Sequence, residues 1–246
     1  MPVQVVDRAF DVLEALAEAG SPLGVGELGE RTGLPQGTVH RILQSLQGRG
    51  YVRRDGSRKY SVGTAAVRLA DAAQRSLART ARPYLAELVA ISGETANLAV
   101  LEGLDAVYVA QVSSPHALRM FAEVGQHVPP HSTAVGKVLL AAMPRDEARG
   151  ILQRTGLPAR TDATITDLAD LEAELDLVAA QAWAADEEEH EVGMRCVAVP
   201  IGGPGPALAA MSVSGPAERF AGGRTDGLVE AMQRVGHAFG TGSPAR

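Results

Sequence analysis

Residues 28–55, LGERTGLPQGTVHRILQSLQGRGYVRRD, decide the fold of the first part of the chain. A short helix is predicted over about 26–32 and a second from Pro35 to about Gly48. Pro35 suits a first helical turn, where its missing N–H is no loss. Val39, Ile42, Leu43 and Leu46 recur at helical spacing and predict a buried face. Gly37, Arg41 and Gln44 fall opposite them, with Thr38 and His40 flanking. Two helices that cross closely need a small residue in the first and a turn residue that tolerates positive φ. Gly29 and Gly33 stand at those two points. Asp55-Gly56 is then a turn signal between β-prone runs at 51–53 and 59–62. Helix, turn, helix and hairpin in this order predict a winged helix-turn-helix.

Charge points the same way. The whole chain is acidic, with a formal charge of −6. Residues 31–60 nevertheless carry Arg31, Arg41, Arg49, Arg53, Arg54, Arg58 and Lys59 against Asp55 alone, a local +6. Residues 81–246 hold 12 basic and 21 acidic side chains, a net −9. A basic patch on an acidic chain is the footprint of a local contact with DNA. Gln36, Thr38, His40, Arg41 and Gln44 are the candidates for base edges and phosphates. Arg53, Arg54, Arg58 and Lys59 on the wing are placed to reach flanking phosphates.

Upstream, Val6, Phe10, Leu13, Leu16 and Ala17 predict one buried stripe on a first helix. Downstream, residues 64–92 read as helix, with Pro83 marking a break or a new first turn. Strands are expected at 95–101 and 106–112 around Gly103-Leu104-Asp105, then at about 118–124, 193–201 and 208–214. Helices are expected from Ser132–Thr133 to Met143, over about 168–184, and over about 226–239. The GGPGP stretch at 202–206 reads as a tight strand-to-strand turn. The sum is an α+β chain whose second domain is built on one mostly antiparallel sheet. The boundaries are 1–63 for the winged helix-turn-helix, 64–80 for a linker helix, 81–242 for a second domain and 243–246 for a tail.

Three features of the second domain converge on a small-molecule site. Ser132 and Thr133 are candidate caps of an apolar helix, and the N–H groups around Ala134, Val135 and Gly136 make an anion site at its N-terminus. Met194 and Cys196 are two apart in one strand and share a face. Ser212 and Ser214 do the same in the partner strand. Small polar groups with one thiol suit a small polar ligand.

RAFDVLEALAE (8–18), the 28–55 stretch and KYSVG (59–63) resemble the DNA-binding half of the isocitrate lyase regulator (IclR) family. HSTAVGKVLLA (131–141), DEEEHEVGMRCVAVPI (186–201) and AAMSVSGP (209–216) resemble its effector-binding half. The resemblance covers about residues 4–240. It implies a bacterial or archaeal regulator of a catabolic operon with a GAF/PAS-like ligand domain. It also implies a homodimer formed through the DNA-binding half, often doubled into a dimer of dimers. Family ligand positions match Ala134, Val135, Asp186, Met194, Cys196, Ser212 and Ser214. This set favours a small oxo- or hydroxy-acid, of the glyoxylate or allantoin-pathway ureido type. Asp186 would repel a carboxylate, so it is expected to accept a donor from the ligand. A repressor released from DNA by such an acid is the expected behaviour.

Other functions fit these residues less well. An enzyme is not expected: Cys196, Ser212, His190 and Asp186 supply the residue types, but no G-x-S-x-G elbow or telling triad spacing is present. A metal sensor would gather His131, His190, Asp186, Glu187 and Cys196, yet no Cys/His pair has the usual short spacing. An activator or repressor of aromatic-acid catabolism is the alternative inside the regulator class. Only Phe121 and a few apolar residues support an aromatic effector. No cofactor and no membrane partner are expected, because no apolar run reaches roughly 18 residues. The lone Cys196 and the absence of signal-peptide features point to the cytoplasm.

Overall fold

Helix α1 (Gln4–Glu18) buries Val12, Ala15 and Leu16 against the rest of the amino-terminal unit. The computed structural model describes residues 3–117, 123–201, 209–220 and 224–242. The stripe expected on α1 is only partly the buried one. Leu16 is buried and Leu13 half-buried, but Val6, Phe10 and Ala17 are exposed. The helix carries two apolar stripes, and periodicity alone does not tell which of them packs inside the chain.

Helices α2 (Val25–Thr32) and α3 (Gln36–Gly48) follow. Gly33 ends α2 in the left-handed region, at φ 67°. A Cβ on Gly29 would lie 3.1 Å from the Leu34 carbonyl oxygen, so the helix crossing has no room for a larger residue without adjustment. The Gly24 N–H donates to Glu27 Oε2 at 2.6 Å, which closes the first turn of α2 without a capping hydroxyl. Val39, Ile42 and Leu43 of α3 are buried as expected, and Leu46 is half-buried. The wing is β1 (Val52–Arg54) and β2 (Tyr60–Val62), paired antiparallel. Asp55 Oδ1 accepts from the N–H groups of Ser57 and Lys59, both at 2.9 Å, and so locks the tip.

Helix α4 (Ala65–Ser92) runs through Pro83 without a break, contrary to expectation. A proline inside a helix costs about 3 kcal/mol. Ala81, Tyr84, Leu85 and Leu88 are all buried in one cluster, and each large side chain there contributes about 1.5–3 kcal/mol. Packing therefore outweighs the lost hydrogen bond. Contacts divide the chain into two compact units, Met1–Gln74 and Arg75–Arg246, and the division falls within α4.

The second unit is built on β3 (Thr95–Glu102), β4 (Asp105–Val112), β5 (His127–Val128), β6 (Ala184–Glu187), β7 (Met194–Ile201) and β8 (Ala209–Pro216). They form one antiparallel sheet in the order β5-β4-β3-β8-β7-β6. Alternation along each strand sorts side chains onto two faces. Ala96, Leu98, Val197, Val199, Met211 and Val213 pack with α4 and with α8 (Arg224–Gly240). Ala99, Tyr108, Cys196, Ala198 and Ala210 pack on the other face with α5 (Ala134–Ala141). Helices α6 (Arg145–Thr155) and α7 (Leu168–Gln181) cover α5 in turn.

Several differences from expectation have local causes. Helix α7 stops at Gln181 because Ala182 takes a left-handed conformation, φ 58°, and β6 begins at Ala184. Neither β6 nor α6 was expected; both are short and carry charged residues that blur their periodicity. Of the strand expected at 118–124, residues 118–122, Phe121 among them, lie outside the described residues, and Val124 lies in a turn before β5. The GGPGP turn and the 243–246 tail also lie outside them. Among the described residues no helix is long and apolar enough to cross a membrane.

Candidate functional site

The DNA-reading candidates stand on one face of α3. Gln36, His40, Arg41 and Gln44 are exposed and Thr38 is half-buried. All four wing cations are exposed, but three have partners inside the unit. Arg53 Nε donates to Ser61 Oγ at 2.9 Å. The Arg54 guanidinium lies 5.4 Å from the centre of the Tyr60 ring. Lys59 Nζ pairs with Glu27 across 3.4 Å, which ties the wing to α2. An exposed pair of this kind adds little to stability, so Lys59 is free to exchange onto a phosphate. Arg58 sits at the wing tip with φ 66°.

The same unit carries an apolar groove of about 780 Å³. Val5, Val6, Phe10, Leu46 and Leu69 line it, and Thr38 and Arg41 reach its rim. Val6 and Phe10, the stripe of α1 that fails to pack inside the chain, are thus side by side in this groove.

The second site lies on the α5 face of the sheet. Register sets its rows. Asp186 opposes Cys196, Cys196 opposes Ser214 and Ser214 opposes Thr95. In the adjoining row Ala198 opposes Ser212, Ser212 opposes Asn97 and Asn97 opposes Gln111. Cys196, Ser212, Ser214 and Asp186 are all buried, and Ala134 and Val135 of α5 share an apolar cluster with Cys196. Met194 is half-buried at the start of β7, opposite Pro216. Register thus brings Asp186, Cys196, Ser212 and Ser214 onto neighbouring strands, while Met194 stays at the strand end. Thr133 caps α5 as read from the sequence, accepting from the Gly136 N–H at 3.3 Å. The N–H groups ahead of Gly136 are left without helical acceptors, as at any helix start.

Electrostatics shape this buried cluster. Ser214 Oγ donates to Cys196 Sγ at 3.0 Å. Burial, reinforced by the Asp186 charge, pushes the Cys196 thiol up to about 12, so it stays protonated and unreactive. Burial also pushes the Asp186 carboxyl up to about 7, against the pull of the backbone N–H groups of His190 and Glu189. Those N–H groups lie 3.2 and 2.8 Å from Asp186 Oδ1. Asp186 was expected to be an ionised acceptor for the ligand; it is instead poised between charge states, and one of its oxygens is held by its own loop. Burial pushes the Tyr108 hydroxyl up and His190 down to about 4.

Beneath the site is a buried cation. Lys137 of α5 reaches Glu189 at 2.7 Å and Glu174 at 3.1 Å, with its side chain 1% exposed. It links α5, α7 and the loop after β6. Thr161 and Thr164 donate to the carbonyls of Glu188 and Glu189, both at 2.7 Å, and brace that loop again. Sequence reading missed Lys137, Glu189, Asn97, Gln111 and Tyr108. The signal for Asn97 was present as an amide in the middle of an apolar strand. Several residues of the metal reading are engaged elsewhere. Glu187 pairs with Arg195, His131 Nε2 donates to the Pro158 carbonyl at 3.1 Å, and His190 Nδ1 lies 3.5 Å from Ser132 Oγ. Among the described residues no group of three His, Cys, Asp or Glu side chains is placed to hold a metal ion.

The family model described as the IclR helix-turn-helix domain matches residues 5–56. The model for the C-terminal domain of bacterial transcriptional regulator IclR matches residues 70–239. The chain belongs to the IclR family. This IclR-type chain is 38% identical over 222 residues to the HTH-type transcriptional regulator KdgR of Dickeya chrysanthemi, covering 89% of this chain and 72% of that one. It is 33% identical over 248 residues to the transcriptional repressor IclR of Escherichia coli, covering 97% and 90%. The crystal structure of an IclR homologue from Microbacterium hydrocarbonoxydans complexed with 4-hydroxybenzoate matches with a TM-score of 0.63 at 25% identity, over 96% of this chain and 98% of that one. The relatives are regulators of transcription. In IclR terms the first unit is the DNA-binding module and the second is the effector-binding module.

Proposed function

We propose that this IclR-family regulator is a homodimeric repressor of a catabolic operon. A small oxo- or hydroxy-acid, of the glyoxylate or ureido-acid type, binds on the α5 face of the sheet and releases it from DNA in the cytoplasm. The observation that carries the effector class is the floor of buried small polar groups, Cys196, Ser212, Ser214 and Asp186, below the N-terminus of α5. A helix N-terminus and buried hydroxyls favour an anion. Small side chains favour a compact one. The repressor sense is supported by the E. coli relative, itself called a repressor.

Dimerisation is assigned to the groove of the first unit. Val5 and Phe10 are more than half exposed there, and a second copy would remove this apolar area from water. Effector binding would then act by changing the spacing of two recognition helices, with α4 as the mechanical connection. A dimer of dimers is the larger assembly that the family reading implies.

The second reading is an aromatic-acid effector, favoured by the homologue complexed with 4-hydroxybenzoate. A thermal-shift screen separates the two, since a ligand that binds only the folded state raises Tm by mass action. Glyoxylate, pyruvate and ureidoglycolate are expected to raise Tm, and Ser214→Ala to abolish the response. A response to aromatic acids alone would replace the small-acid reading with the second.

A further inference from the structure

We propose that Asn97 binds the effector: its side-chain N–H, beside the Ser212 hydroxyl, holds the ligand's carboxylate, and Gln111 positions its amide. The proposal rests on the reading that the effector lies on the α5 face of the sheet.

Asn97 stands in the middle of β3 and is completely buried. Its neighbours Ala96 and Leu98 face the core on the opposite side. A buried strand centre is an unfavourable place for an amide unless its polar atoms are satisfied. Half of this amide is: Gln111 Nε2 donates to Asn97 Oδ1 at 3.0 Å. That bond directs Oδ1 towards β4 and leaves Nδ2 as the free end. Nδ2 is buried without a hydrogen-bond partner among the described residues, and Ser212 Oγ, although it neighbours the Cys196 thiol, makes no hydrogen bond of good geometry there either.

These two unpartnered groups are direct cross-strand neighbours. Residues so opposed have Cβ atoms about 4.5–5.5 Å apart, a span that one group with two oxygens bridges. The other polar side chains in the adjoining row are engaged inside the protein. Ser214 donates to Cys196, and Thr95 Oγ1 accepts from the Ser114 N–H at 3.1 Å. The residues that adjoin the pair on this face, Ala99, Ala198 and Ala210, are all small. Leaving a buried donor unsatisfied is costly, and folded proteins rarely do it without a functional reason. An amide N–H only donates and the hydroxyl is able to, so the matching ligand group is an acceptor without a proton of its own. A carboxylate is such a group. Its placement here puts it one row away from Asp186, which leaves the rest of the ligand, its hydroxyl or gem-diol, on the Asp186 side.

The test is isothermal titration of the full-length protein with glyoxylate, pyruvate and 4-hydroxybenzoate, which share only the carboxylate. Asn97→Asp keeps the shape and replaces the donor by a negative group, so affinity for every binding acid should fall at least a hundredfold. Asn97→Leu removes the donor without adding charge and keeps the variant apolar should the buried acid misfold. It should lose roughly tenfold to a hundredfold, the range for one hydrogen bond to a charged group. Gln111→Leu should lose less than Asn97→Leu, because it only releases the amide. Wild-type affinity in a folded Asn97→Leu variant overturns the proposal, while loss in Ser214→Ala in the same experiment leaves the effector-site reading intact. Loss in Asn97→Leu with none in Ser214→Ala supports Asn97 and overturns the Cys196–Ser214 part of the reading. Binding of none of the three acids, nor of ureidoglycolate, to the wild type overturns both.

Discussion

On α3, Gln36, His40, Arg41 and Gln44 stand in solvent; on β3, β7 and β8, Asn97, Cys196, Ser212 and Ser214 are buried. The first group costs the fold almost nothing, because exposed polar residues keep their hydration until DNA replaces it. The second group is held only because each member is bonded to a neighbour or awaits a ligand. One surface is therefore open to substitution with little loss of stability, whereas in the other, the atoms proposed to bind the effector also hold the fold. Mutations in the two regions should separate along that line.

The largest effect is expected at Lys137. Lys137→Met removes the cation from between Glu189 and Glu174 and leaves Glu189 buried and unpaired. Breaking a buried pair by removing one partner costs about 3–5 kcal/mol. Urea unfolding followed by circular dichroism should show this loss, with the second unit affected first. A loss below about 1 kcal/mol would place this lysine with the surface pairs and break the comparison.

Arg41→Ala should behave in the opposite way. Tm should stay within about 2 °C of the wild type, since surface substitutions away from special features rarely exceed about 0.5 kcal/mol. Specific DNA binding should weaken by about 1–3 kcal/mol in an anisotropy titration. Equal weakening on all sequences would mark Arg41 as a phosphate contact.

Asp186→Asn sharpens the comparison through pH. The folded-state carboxyl titrates near 7, raised by burial, while an unfolded one titrates near the ordinary 3.8. Between these values the folded protein binds the extra proton, so this group's contribution to stability is lost as pH rises from about 4 to about 7. Burial lowers His190 to about 4 and so makes the opposite contribution in the same range. The test is therefore the difference between variant and wild type. Asp186→Asn should gain Tm relative to wild type as pH rises from 5 to 8, and a flat difference would contradict it. The smallest effect is expected at the wing: Arg58→Ala should weaken DNA binding a few-fold on every sequence and reduce the salt slope by about 1.

The first unit was legible because each of its signals is local. Gly29, Gly33, Pro35 and the 39/42/43/46 face lie within one window, and they became α2, the turn and α3. The second unit was legible where residues two apart share a face, as with Ser212 and Ser214. The pairing of β3 with β8 was not legible, because its partners stand more than a hundred residues apart, as Asn97 and Ser212 do. That is why Asn97 was missed while its cross-strand partner was found. The α1 stripe failed for a different reason: Val6 and Phe10 are apolar without being core, a pattern that an interface and an interior share. Pro83 failed because tertiary packing overrode a local rule.

The central claim is that an acid bound on the α5 face controls the DNA-binding unit. The most direct measurement is fluorescence anisotropy of a DNA sequence selected from a random pool by the purified protein, titrated with glyoxylate, pyruvate and ureidoglycolate. At least one acid should weaken wild-type binding tenfold or more, and the same acid should leave Ser214→Ala bound. No effect of any acid on the wild type, or an equal effect on Ser214→Ala, would contradict the account.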